Sequence, residues 1–195
     1  MNQKFKELIQ VSYKLGASDA AMISTNDIVV DVSLAEKCRE PRCANYGLSR
    51  NCPPHVSGPS GLNKSLKTFH HAIIFKIDVP SEILYSSENR EVFQLLHQIA
   101  SDIERSAVKS GFEKAQAYAG GSCRKIFCYD ENECLALTEK QKCRHPEYAR
   151  PSMSGFGVNV AKLFETVGWT MTWVTDNNAS NKTETGNICG LVLIC

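Results

Sequence analysis

Seven of the nine cysteines in this chain of 195 residues fall in two short groups. A thiolate is both a nucleophile and a soft metal ligand, so clustering of this kind is the first place to look for chemistry. The first group runs Cys38-x4-Cys43-x8-Cys52 and continues into Pro53-Pro54. The second runs Cys123-x4-Cys128-x5-Cys134-x8-Cys143 and continues into Arg144-His145-Pro146. The amino terminus, Met1-Asn2-Gln3-Lys4-Phe5-Lys6-Glu7, lacks the apolar run of a secretory signal and enters an amphipathic helix pattern, so a cytoplasmic location is expected. In that compartment clustered cysteines bind metal or carry redox chemistry more often than they pair as disulfides.

Four thiolates in one loop match the ligand count of an all-cysteine zinc site or of a cubane iron–sulfur cluster. Zinc sites usually use Cys-x2-Cys knuckles, and the second group has none. A cluster is larger than an ion and suits wide, uneven spacing better, although the Cys-x2-Cys-x2-Cys run of bacterial ferredoxins is also missing. The first group supplies three thiols and is one short of a four-iron cluster. It either keeps one position open to a small molecule or borrows a ligand, with His55 and Cys189 as candidates. Cys189 and Cys195 flank a terminal apolar run and read as core packing. Arg124, Lys125, Lys140, Lys142, Arg144 and Arg150 surround the second group, either as solvated loop charge or as cations that offset a thiolate cluster. Ser154 reads as a helix cap. No Ser/His/Asp set, paired carboxylates or complete phosphate loop is evident, so whether the chain is an enzyme stays open.

These loops need a scaffold. Phe5, Leu8 and Ile9 follow helical spacing that stops at Gly16. Ala20–Ile23 and Ile28–Val30 read as short strands, and Ala72–Val79 as a buried one. Ser87 is expected to cap a long helix with the stripe Val92, Leu95, Leu96, Ile99, Ile103 and Ala107, ended by Gly111. A strand over Lys114–Tyr118 leads into Gly120-Gly121-Ser122-Cys123. Phe156, Val160, Leu163, Phe164 and Val167 mark a further helix, and Thr170–Val174 and Gly190–Ile194 two last strands. Residues 38–61 and 123–151 show no periodicity, and loops of that length are usually functional. The whole predicts a single α/β (α+β) domain over residues 1–195: a central mixed or antiparallel sheet, packed helices and two cysteine-rich metal-binding loops. Net charge is +1 and no apolar run spans a bilayer, so neither nucleic acid nor a membrane is an expected partner.

The segments CREPRCANYGLSRNCPP (Cys38–Pro54), GGSC (Gly120–Cys123) and CRHPEYARPSM (Cys143–Met153) together resemble the uncharacterised family of predicted metal-binding proteins, found mainly in anaerobic bacteria and archaea. The resemblance covers nearly the whole chain and implies Cys38, Cys43, Cys52, Cys123, Cys128, Cys134 and Cys143 as metal ligands. Many members space the second block more closely, which sets Cys128 and Cys134 apart. A fainter likeness, in the order helix, Leu15-Gly16-Ala17-Ser18-Asp19, strand, metal loop, strand, is to the catalytic core of epoxyqueuosine reductase and reductive dehalogenases. Those enzymes pair a corrinoid with iron–sulfur clusters. The leading expectation is therefore a protein with one or two 4Fe-4S clusters and a redox or electron-transfer role, its partner a redox protein or a small molecule. The alternatives are a corrinoid- or flavin-dependent reductase carrying such clusters, and a non-catalytic protein stapled by zinc.

Overall fold

The computed structural model describes residues 3–138, 142–172 and 185–195. In chain order its elements are α1 (Gln3–Lys14), β1 (Asp19–Ser24), α2 (Val32–Glu36), α3 (Gly58–Leu66), β2 (His71–Pro80), α4 (Ser81–Tyr85), α5 (Asn89–Lys109), β3 (Ala115–Ala119), α6 (Cys123–Phe127), α7 (Leu135–Thr138), α8 (Val160–Thr166) and β4 (Thr185–Ile194). Among the described residues no helix is long and apolar enough to cross a membrane.

The four strands form one antiparallel sheet in the order β1-β2-β4-β3. Side chains alternate across a strand, so each buried strand feeds two cores. On one face Ile73, Phe75 and Ile77 of β2 and Ile188, Val192 and Ile194 of β4 meet α1 and α5, whose stripe is Leu96, Ile99, Ala100, Ile103 and Ala107. On the other, Ala72, Ile74, Leu191 and Leu193 meet Leu62 of α3, Met153, Phe156, and Leu163 and Phe164 of α8. Both faces being covered explains why β2 and β4 read as apolar runs rather than alternations. The result is a single α+β domain with helices on both sides of the sheet.

Several expected details differ. Ile28–Val30 is not a strand. Ser24 and Asp27 close a capping box around the 3₁₀ turn Thr25–Asp27, and Asp31 caps α2, leaving only Val30 to bridge Val158. The start of α5 is shaped by Ser86, whose Oγ accepts from the Glu88 N–H at 3.1 Å, and not by Ser87. Ser152 precedes the 3₁₀ turn Met153–Phe156, and Asn159 caps α8 through the Lys162 N–H at 3.1 Å, so Ser154 caps neither. Thr170–Thr172 lack strand structure, and Trp173 and Val174 lie outside the described residues. The aperiodic stretches contain the short helices α2, α3, α6 and α7. Each buries at most two residues, too few to leave a period in the sequence.

Phe75 fits the sheet only because its cross-strand partner is Gly190. A Cβ on Gly190 would lie 2.4 Å from Phe75 Cζ, inside van der Waals contact, and Phe75 is fully buried. Gly190→Ala is therefore expected to lower stability by about 1–3 kcal/mol. Urea denaturation checks it, as a lower midpoint at unchanged slope; an unmoved midpoint would mean that the ring repacks freely.

Candidate metal centre

The first cysteine block is a chain of tight turns that its own backbone holds. Cys43 N–H donates to Cys38 O at 3.0 Å, Tyr46 N–H to Cys43 O at 2.9 Å, and Gly47 N–H to Pro53 O at 2.8 Å. Gly47 sits at φ +80°, where other residues are strained. Pro53 presses on Gly155, where a Cβ would lie 2.8 Å from the proline ring, so the turn after Cys52 is seated against the 3₁₀ turn. Within this frame Cys38, Cys43 and Cys52 face a common cavity of about 150 Å³, completed by Tyr46, Ser122 and Ser154. Neither His55 nor Cys189 lines it. His55 is exposed with Nε2 3.3 Å from Gly47 O, a brace for the loop, and Cys189 is buried in the sheet core.

The second block leaves β3 through Gly120, whose N–H donates to Cys189 O at 3.1 Å, and Gly121, at φ +83°. Cys123 opens α6, and Cys128 closes it by donating its N–H to Arg124 O at 3.2 Å. Cys134 caps α7, its carbonyl accepting from Leu137 N–H at 2.8 Å. Cys143 Sγ accepts the His145 N–H at 3.4 Å.

The two blocks meet along one seam. Cys52 S–H donates to Ser122 Oγ at 3.3 Å, Cys123 Sγ and Ser49 Oγ are 3.2 Å apart, and Asn51 Nδ2 donates to Cys123 Sγ at 3.6 Å. Type and spacing do not single out Ser49, Asn51 and Ser122; their position one to three residues from a cysteine is the available signal. Electrostatics joins the sulfurs further: Cys38 responds to Cys43 and Cys52, Cys52 to Cys43 and Cys134, Cys123 to Cys52 and Cys143, and Cys128 to Cys143 and Cys134. All nine cysteines are free of disulfides. Among the described residues no three His, Cys, Asp or Glu side chains stand at single-ion spacing. Burial pushes the Cys123 thiol up to about 11 against the help of Ser49 and Asn51, and burial likewise raises Cys52, Cys38 and Cys128. A cation that binds here must therefore displace protons.

The flanking cations divide by role. Burial keeps the Cys128 thiol raised, and Arg124 and Arg144 offset part of that rise; both are fixed on Glu131, Arg124 through its carbonyl and Arg144 through the carboxylate at 3.0 Å. Lys142 and Arg50 lie beside Cys143. Lys140 lies outside the described residues. Arg150 faces away: its Nη2 pairs with Glu104 of α5 at 2.7 Å and its Nε at 2.8 Å. Its backbone N–H donates to His97 Nδ1 at 3.1 Å, which places the ring proton of a neutral His97 on Nε2. Next along the chain, Ala119 N–H donates to Pro151 O at 3.0 Å and Ser152 N–H to Asn51 O at 3.1 Å. One segment thus ties α5, β3 and both cysteine blocks.

Burial in this network holds the His97 imidazole at about 4. A free histidine titrates near 6.5, so between pH 6.5 and 4 the unfolded chain takes up a proton that the folded chain refuses. Stability from this source is complete above pH 6.5, falls as pH drops, and stops falling below about 4. The full span is about 3 kcal/mol. His97→Asn, which keeps an acceptor near Arg150 N–H, is expected to flatten that part of the stability profile. Denaturation midpoints of both proteins across this range measure it, and parallel profiles would contradict it.

A family model described as "Predicted metal-binding protein (DUF2284)" matches residues 21–194. No curated protein and no solved structure matches the chain. The matched span takes in both cysteine blocks and most of the sheet, which is most of the chain. The protein belongs to the DUF2284 family of predicted metal-binding proteins.

Proposed function

We propose that this protein is an iron–sulfur protein with a redox role, its clusters held by Cys38, Cys43 and Cys52 and by Cys123, Cys128, Cys134 and Cys143 on the two sides of the seam. The observation that carries the reading is the cavity. Three thiols face a shared space of about 150 Å³, well beyond the roughly 30 Å³ that one water occupies, so the space suits a body larger than a single ion. The donor set fits as well. Thiolate sulfur is the usual ligand of such clusters, and hydrogen bonds to sulfur are among the levers that tune them. Here Ser49 and Asn51 reach Cys123, and the His145 N–H reaches Cys143.

A cluster bound there would supply one-electron transfer at a potential set by its charge, its hydrogen bonds and its burial. The protein's own groups do the rest. Burial of Cys52 and Cys123 keeps water from the seam, while exposed Cys43 leaves one edge open to a partner. Ser122, Ser154 and Tyr46 present polar groups in the cavity that the three thiols do not fill.

Protein produced and purified without air is expected to contain iron and acid-labile sulfide, to be brown, and to bleach in air. Stoichiometric zinc without sulfide, in protein never exposed to air, would overturn the reading in favour of a zinc-stapled fold. On the same material Cys123→Ser and Cys143→Ser are expected to lose most of the metal bound by the second block, because a hydroxyl is a poor ligand for a soft core. Cys195→Ser is expected to retain wild-type metal, since Cys195 packs against the apolar face of the sheet. Equal losses in the Cys195 and Cys123 variants would show the assignment of ligands to be wrong.

A further inference from the structure

A second cavity, of about 200 Å³, shares Asn45, Gly121 and Ser122 with the thiol cavity and carries two cations, Arg90 from the first turn of α5 and Lys125 from α6. The guanidinium carbon of Arg90 lies 3.8 Å from the centre of the Tyr129 ring. Stacking by the face leaves the N–H edges of a guanidinium free to donate. Arg90 Nε is sealed from solvent and has no hydrogen-bond partner among the described residues. Nor does a described carboxylate pair with Arg90 or Lys125. Asn89 uses Nδ2 on Leu84 O at 2.9 Å and adds a polar wall, while Phe93 and Ile126 give an apolar one. A Cβ at Gly121 would come within 3.1 Å of Phe93 and 3.2 Å of Ile126, so the glycine keeps this space clear.

The simpler use of two cations beside thiols is to offset thiolate charge. That role already belongs to Arg124 and Arg144, which offset part of the rise that burial causes at Cys128 and are fixed on Glu131. Arg90 and Lys125 do not figure among the leading influences on Cys38, Cys52, Cys123 or Cys128. With no described carboxylate on either side chain, the two cations that line this space can both pair with an anionic oxygen.

We propose that this cavity binds a small organic anion, its carboxylate or phosphate held between Arg90 and Lys125 and its remainder lying along Phe93 and Ile126 toward Gly121 and Ser122. Its role as the substrate pocket of the neighbouring centre rests on the iron–sulfur reading; the binding of the anion does not.

The test is isothermal titration of the intact, metal-containing protein with malonate and with inorganic phosphate. Saturable binding is expected, tighter for malonate if the head group is a carboxylate and tighter for phosphate if it is a phosphate ester. Arg90→Gln is expected to weaken it at least tenfold and Lys125→Gln about threefold. Lys67→Gln, at the end of α3, removes the same charge elsewhere and is expected to change nothing. Metal content and melting temperature of each variant are measured in parallel and are expected to match wild type. No saturable binding of either probe, or an Arg90→Gln variant that binds as tightly as wild type, overturns the proposal. Loss of metal in Arg90→Gln also overturns it, by assigning Arg90 to the metal centre. Zinc in place of iron and sulfide would remove the substrate role and leave the anion affinities standing.

Discussion

A guanidinium withdrawn from water has to be matched by charge and by acceptors, and the Arg150–Glu104 pair meets that demand at the point where the fold turns into the site. Arg150 also reaches the carbonyls of Pro146 and Ala149 at 3.2 Å each, so its own loop is wrapped around the charge. Glu104 uses its other oxygen to accept the Ala117 N–H of β3 at 2.7 Å. The carboxylate is thereby shared between an edge strand and the loop that carries Cys143. The residues that follow Arg150 bridge β3 and Asn51, so the position of Cys52 relative to Cys123 is inherited from an ion pair that contains no sulfur. Removing either partner strands a charge that the packing cannot solvate, which is the costly way to break such a pair.

The first block is seated by contact rather than by charge. Gly155 lets the Pro53 ring approach, and Gly157, at φ +70°, accepts the Asp31 N–H on its carbonyl at 2.7 Å. A Cβ on Gly157 would lie 2.3 Å from Asp31 O. The 3₁₀ turn before α8 is thus closed against the Pro53 end of the first block and against the cap of α2, which leads into it. Rigid seating matters for a thiol site because sulfur ligands that must each find a partner lose conformational entropy on binding, and a fixed loop has already lost it on folding.

The scaffold was largely legible in the sequence and the assembly of the site was not. α1, α5, β1, β2, β3 and β4 left periods or apolar runs because each buries a continuous face. The short helices in the cysteine blocks are set by turns and caps and bury too little to leave a pattern. Ile28–Val30 has the β-branched composition of a strand, yet the caps on either side leave no length for one. The cysteines were legible as ligand candidates from type and spacing alone. Their meeting was not, because Ser49 and Cys123 are separated by 74 positions and are brought together by β3 at the sheet edge and by the segment after Arg150 that bridges it to Asn51. Arg150 is misleading for the same reason. In sequence it belongs with the basic residues of the second block, whereas in space it serves α5.

Charge at the seam then sorts into two uses. Burying thiols raises the cost of ionising them, and serine, asparagine and backbone donors recover only part of it: burial still dominates at Cys123 despite Ser49 and Asn51. Cations must supply more, and a fixed cation supplies it without rearrangement, which is why Arg124 and Arg144 share the anchor Glu131. Arg124 and Arg144 are held in place by Glu131, so their charge is committed beside Cys128. Among the described residues Arg90 rests on the face of Tyr129 and pairs with no carboxylate, so its charge is left for an oxyanion.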